Sequence, residues 1–377
     1  MSQATGADVL VVGGGMAGAS VAAFLAPHAR VLLLERESQC GYHSTGRSAA
    51  QYIATYGPPQ VRALTLASRA FFDAPPEGFA NAPILTPRGA LTVGYEGQQA
   101  ALDEAWALLQ SVGGRGERLD AAQAQAMVPV LKREGLLGAV HEPDSFDMDV
   151  HALHQGFLRM LRRAGGPVVT GAEGQSAQRR SGQWHLQTTA GAFEAPVLVN
   201  AAGAWCDVLA GLAGVAPIGL VPKRRAAFTF APPAGVDITH WPLVIGASHD
   251  WYIKPDAGML LGSPANEDPT APQDVQPEEL DIAWGVHRIE QHTTLTPRPA
   301  HTWAGLRSFV PDGELVAGFD PDAEGFFWCA GQGGYGIQTS AAMGMVGAAL
   351  VAGEALPEAI TRFGVDAARL SPGRLRG

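Results

Sequence analysis

Gly13, Gly15, Gly18 and Glu35 have the types and spacing to hold a dinucleotide. They sit in an apolar run from Val9 to Val12, a glycine turn, a small-residue helix and a second apolar run from Val31 to Leu34. Gly13 permits a tight turn at the strand end, Gly15 lets backbone approach a pyrophosphate, and Gly18 lets the helix pack on the strand. Ala17 lies in the first helical turn, where unpaired N–H groups and the positive dipole end face an anion. Glu35 follows the glycines by about 20 residues, where a carboxylate accepts from both ribose hydroxyls and disfavours a 2′-phosphate. The set predicts an ADP-bearing cofactor other than NADP; the glycines alone do not separate FAD from NAD. A second group is cationic and aromatic. Arg307 lies in a strand-like stretch, Trp303 to Val310, among apolar neighbours, so it is either ion-paired or reaches a cavity. Arg224 and Arg225 alternate on another strand and face opposite ways. Tyr56, Tyr252 and Trp251 are each either packed core or cavity wall.

The elements that must position these residues alternate in type. After Glu35, the loop from Gly41 to Ser48 leads into an expected helix, Ser48 to Tyr56, ended by Gly57-Pro58-Pro59. Helices are expected over Gln60 to Phe72, Gln98 to Leu109, Ala121 to Met127, Val150 to Arg163, Asp207 to Leu212 and Pro277 to His292. Strands are expected over Pro83 to Val93, Pro167 to Thr170, a hairpin about Ala190-Gly191, Lys223 to Phe230, Leu243 to Ile245, Trp251 to Lys254 and Gly258 to Leu261. The strand from Val197 ends in Ala201, Ala202 and Gly203, small enough to let backbone approach the cofactor. Phe326 to Ala330 is a strand, Gly331 to Gly336 a glycine turn, and a helix starting near Ile337 offers a second N-terminus to the cofactor. The cofactor pieces come from the start, middle and end of the chain. The expected fold is α/β in a two-lobe α+β arrangement: a cofactor domain of residues 1–58, 141–215 and 301–377, and a substrate domain of residues 59–140 and 216–300, with ligand between them.

Composition narrows the function. The 377 residues carry a net charge of −10 and no basic run, which disfavours nucleic acid as a partner. Cys40, Cys206 and Cys329 lie far apart without a C-x-x-C pair, so a zinc site is not expected and a reduced, cytoplasmic protein is. No uninterrupted apolar stretch of about 18 residues is present, so no transmembrane segment is expected, and peripheral membrane contact stays open. His151 and His154 share a helix face without further ligands, and no metal is expected.

The segments GYHSTGRSAA (41–50), VRAL (61–64), SRAFFD (68–73), LVNAAGAWCD (198–207), PKRR (222–225), KPDAGMLLGSPAN (254–266), HTWAGLRSFV (301–310) and QGGYGIQTSAAMG (332–344) resemble those of the D-amino-acid-oxidase-type FAD oxidoreductases. Within that family the resemblance is to its bacterial D-arginine dehydrogenase branch. It implies a Rossmann-like, glutathione-reductase-type FAD-binding domain, a mixed-sheet substrate domain and non-covalent FAD. It places Glu35 and Arg36 at the adenosine ribose and Gly174 near the adenine. The loop Ser44, Thr45, Gly46, Arg47, Ser48, Ala49, Ala50 and Gln51 runs along the pyrophosphate and flavin. Gly333, Gly334, Tyr335, Gly336, Ile337 and Gln338 hold the flavin's polar edge. Arg307 and Arg225 grip a substrate carboxylate, with Tyr56 and Tyr252 beside them and Gln51, Ala90, Trp251, Tyr335 and Gln338 lining the substrate pocket.

The implied reaction is oxidation of a D-amino acid: hydride leaves Cα for flavin N5, and the imino acid hydrolyses to a 2-oxo acid and ammonia. The implied electron acceptor is a quinone or another carrier. Two positions depart from the D-arginine branch. Gln51 replaces a histidine and does not titrate near neutral pH. Ala90 replaces a glutamate that meets a cationic side chain, which predicts a preference for neutral, apolar or aromatic D-amino acids. A glycine- or sarcosine-type amine oxidase on the same fold is the competing enzyme reading, and a flavin-binding sensor without turnover is the non-catalytic one.

Overall fold

The computed structural model describes residues 4–376. Among these, the glycine turn sits in a parallel sheet ordered Val168–Val169, Val31–Leu34, Val9–Val12, Val197–Asn200 and Phe326–Ala330, closed by the antiparallel strand Val316–Phe319. The central strands are apolar at every position but Asn200 because both faces are covered. Val9, Val11, Val31, Leu33, Val199 and Phe327 enter one core, while Leu10, Leu32, Leu34, Leu198 and Phe326 enter the other. Helices Met16–Leu25, Val150–Arg163 and Ser340–Val351 cover the first face. On the second lies a small sheet in which Gly174–Arg180, Gln183–Thr188 and Gly191–Ala195 run antiparallel and Thr5–Gly6 adds a parallel edge.

A larger mixed sheet forms the other layer. Its strands run Asp268–Pro269, Val221–Phe230, Met259–Ser263, Tyr252–Asp256, Leu243–Gly246, Ala90–Tyr95, Leu136–Glu142 and Glu117–Asp120, with His301–Phe309 paired along Val221–Phe230. The third core lies between this sheet and the helix Glu279–His292. Position 301, the expected start of the last cofactor segment, opens the strand His301–Phe309 of this sheet. The helix Pro59–Asp73, expected with the substrate domain, packs in the first core against Ser340–Val351. No helix among the described residues is long and apolar enough to cross a membrane.

Two expected elements differ. Residues 48–56 are not helical. Ser44–Arg47 form a 3₁₀ turn and Gln51–Tyr52 pair with Phe146–Met148 as a short strand. Side chains in this stretch bond distant backbone: Ser44 Oγ donates to the Leu306 carbonyl at 2.7 Å, and the Arg47 guanidinium to Val275 and Ala304 carbonyls. Such bonds compete with a helical ladder. The helix expected from Ile337 begins at Ser340, because residues 333–339 stay in turns.

Gly13 has φ +114°, a conformation that favours glycine. A Cβ at Gly18 would lie 1.9 Å from the Gly13 carbonyl oxygen, inside backbone that does not give way. Gly18→Val should therefore push the helix off the sheet and destabilise the protein by about 3 kcal/mol. Thermal unfolding and retention of bound cofactor measure it.

Candidate active site

Two cavities meet between the layers. The first, about 260 Å³, is a groove that begins at Glu35, Arg36 and Gly174. Glu35 is buried, and its carboxylate accepts from Gly14 N–H (2.7 Å) and Glu37 N–H (2.9 Å). One backbone donor per oxygen leaves each with a lone pair for a ligand hydroxyl. Arg36 is held by Glu37 and Glu173 and lies over the Trp205 ring. The groove then passes Gly13, Gly15 and Ala17, where Thr45 Oγ1 accepts the Met16 N–H at 3.0 Å. Ser44, Arg47, Ser48, Ala49 and Gly203 line its walls, and Gly333, Gly334, Gly336 and Ile337 line the end toward Arg307. Gly18 and Gly46 do not face the groove: Gly18 packs on backbone and Gly46 closes a turn onto Gly41 and His43.

The second cavity is larger, about 440 Å³, and shares Ser48, Ala49, Arg225, Tyr252, Arg307, Gly334 and Ile337 with the groove. The strand pairing puts both arginines there. Arg225 lies opposite Gly305 and Lys223 opposite Arg307, so Arg225 and Arg307 share a face. Arg224, on the opposite face, pairs with Asp281 and Glu278. Arg225 donates to the Asn266 carbonyl (2.7 Å) and to Glu267 (2.9 Å). Arg307 makes no ion pair among the described residues; its Nη1 donates to the Tyr56 hydroxyl at 3.0 Å. Burial and the neighbouring Arg307 charge hold Arg225 below the ordinary guanidinium range. This junction is short of negative charge and suits a carboxylate.

A profile of the family described as FAD-dependent oxidoreductase (DAO) matches residues 8–350. The chain belongs to this family. FAD is its cofactor. Glycine oxidase of Geobacillus kaustophilus is 25% identical over 360 residues, covering 91% of this chain and 92% of the relative. Its crystal structure overlays with a TM-score of 0.85 over 97% of this chain and 98% of that one, at 24% identity. FAD-dependent oxidoreductase domain-containing protein 1 of Bos taurus is 26% identical, covering 91% of this chain and 81% of the relative. L-proline dehydrogenase from P. horikoshii superposes with a TM-score of 0.84 over 99% of each chain, at 19% identity. The comparisons bear out the family and cofactor that the sequence motifs imply; they do not single out the D-arginine dehydrogenase branch.

The groove fits FAD. Its Glu35 end has the free lone pairs a ribose diol needs, Gly15 has no side chain between backbone and groove, and the other end opens on the arginines. Of the remaining expected residues, Ala50, Gln51 and Gln338 line the second cavity rather than the groove. Gln338 ties the loop to the helix Pro59–Asp73, accepting from Ile53 N–H and donating to Thr65. Tyr335 lines neither cavity. It is buried behind Tyr56, with ring centroids 5.0 Å apart. Trp251 is 1% exposed and stacks on His292, so only its edge reaches the cavity. Gln51 donates to Asp147, which also takes Lys254 at 2.9 Å and Arg88 at 2.6 Å. The sequence reading missed Asp147 and its cations, and missed Glu142, a buried acid of the second cavity. His154, which the sequence offered only as a non-metal histidine, donates its Nε2–H to the Gly14 carbonyl at 2.9 Å and so fixes the glycine turn from behind.

Two outcomes follow. A Cβ at Gly334 would lie 2.8 Å from Arg307 Nη1 and 2.9 Å from the Tyr56 hydroxyl. Gly334→Ala should displace the clamp and raise KM for carboxylate substrates by about tenfold or more, while FAD absorbance persists. Burial holds His154 below its ordinary value of 6.5. The unfolded chain therefore takes up this proton first, and the stabilisation is complete above pH 6.5 and lost as pH falls through the lower folded value. The midpoint of unfolding should drop on acidification in that window, and His154→Gln should flatten the dependence.

Proposed function

We propose that this protein catalyses FAD-dependent oxidation of D-amino acids to imino acids, which water converts to 2-oxo acids and ammonia. The observation that carries the reading is Arg307, a part-buried guanidinium facing the junction of both cavities with no acid paired to it among the described residues. A carboxylate completes it, and Arg225, Tyr56 and Tyr252 line the same junction. Glycine, proline and iminodiacetate, the substrates in the names of structural neighbours, each carry an amine beside a carboxylate. Glycine would leave most of the 440 Å³ to water, which favours a substrate with a side chain over the glycine- or sarcosine-type reading.

The residues divide the work. Arg307 and Arg225 fix the carboxylate and thereby the orientation of the α-carbon against the groove. The two guanidiniums also favour loss of the ammonium proton, since a second cation beside them is repelled. No side chain of the junction is a free base: Glu267 is bonded to Arg225, and Tyr56 accepts from Arg307. The amine proton thus leaves to water. Bound FAD supplies the acceptor for the hydrogen and electron pair from the α-carbon. The resemblance supports a quinone or other carrier as the final acceptor.

Anaerobic mixing with D-amino acids should bleach the flavin absorbance, and a dye should restore turnover in air without peroxide release. Bleaching by L-isomers alone, or by glycine and sarcosine alone, would overturn the assignment. Arg307→Met should lower kcat/KM by about 10²–10³, the value of two charge-assisted hydrogen bonds. Arg307→Lys should recover only part, because the ammonium lacks the planar fork.

A further inference from the structure

The substrate cavity contains a carboxylate that the proposed reaction leaves idle. Glu142 ends the strand Leu136–Glu142 directly opposite Ala90, and paired residues project to the same face. Both line the cavity beside Thr92, Val140, Leu243 and Ile245. Glu142 is 7% exposed. Its partners are neutral: Ala54 N–H donates to Oε1 at 3.1 Å and the Thr55 hydroxyl to Oε2 at 2.7 Å. Buried Glu35 likewise has only N–H donors, but it faces the cofactor groove; other buried acids have cations. Asp281 meets Arg224, and Asp320 meets Arg376. No basic side chain among the described residues makes an ion pair with Glu142. Neutral donors alone leave the carboxylate with no counter-charge. Burial accordingly pushes its carboxyl above the usual range.

We propose that Glu142 receives a cationic side chain of the substrate, an ammonium or guanidinium at the far end from the carboxylate on Arg307. This rests on the amino-acid reading above and names its substrate class. The methylene stem of such a side chain would lie along Val140, Leu243 and Ile245. The cation would give Glu142 the charge partner that its own chain does not supply. Ala90 leaves the space open, and the acid stands on the neighbouring strand instead. The neutral preference expected from Ala90 alone is thereby reversed.

D-Lysine and D-norleucine differ by an ammonium in place of a methyl and make the comparison. The wild-type protein should take D-lysine at least as well as D-norleucine, judged by kcat/KM for flavin reduction. Glu142→Gln keeps an acceptor for Ala54 N–H and removes the charge. It should lower the lysine-to-norleucine ratio by about tenfold or more. A wild-type ratio below one-tenth, or a ratio that Glu142→Gln leaves unmoved, overturns the proposal. The wild-type ratio decides alone if the variant does not retain FAD. If neither substrate bleaches the flavin as a D- or L-isomer, the amino-acid reading itself fails. If both bleach it and the ratio goes the wrong way, only the role of Glu142 falls.

Discussion

Arg307 carries a charge into the wall of a cavity with the Tyr56 hydroxyl as its side-chain partner. A guanidinium so placed is stable only where its surroundings are fixed and an anion can reach it. Much of the substrate side serves that condition. The long pairing of Val221–Phe230 with His301–Phe309 sets Arg307 and Arg225 on one face, and Gly305 leaves the position opposite Arg225 without a side chain. Gly334 yields the space a Cβ would take from the guanidinium. Tyr56 is itself positioned by a loop that Gln338 holds at Ile53 and Glu142 holds at Ala54 and Thr55.

The cofactor side depends on the same logic with opposite sign. Glu35 is a buried acid whose oxygens are answered by the N–H groups of Gly14 and Glu37. The glycine turn is gripped from two directions, by Glu35 at Gly14 N–H and by His154 at the Gly14 carbonyl. A ligand diol meets a carboxylate already oriented by backbone, so little ordering is left to binding.

What the sequence made legible was whatever local spacing controls. The glycine turn, Glu35, the helix Val150–Arg163 and the opposite faces of Arg224 and Arg225 all follow from periods of 3.6 and 2. Arg307 stood out because a charge in an apolar strand needs a reason. What stayed hidden was set by distant pairing. Gln51 meets Asp147 across 96 positions, and Thr55 meets Glu142 across 87. No local pattern marks Asp147 as the meeting point of Arg88, Lys254 and Gln51, or marks residues 48–56 as non-helical with a strand at Gln51–Tyr52. Tyr335 misled for a related reason: its neighbours in sequence line the cofactor groove, but its ring turns inward against Tyr56.

The parallel sheet has a consequence for how the chain comes to be folded. Val9–Val12 finds one partner at once in Val31–Leu34, but the other, Val197–Asn200, is made far later, and Phe326–Ala330 later still. A chain emerging from the ribosome therefore carries an apolar strand with an open edge for most of its synthesis. Closure needs loops of great length to shut before they gain contacts, which makes folding slow. The flavin site is then the last thing completed, and its first strand is the part of the molecule with most need of protection while it waits.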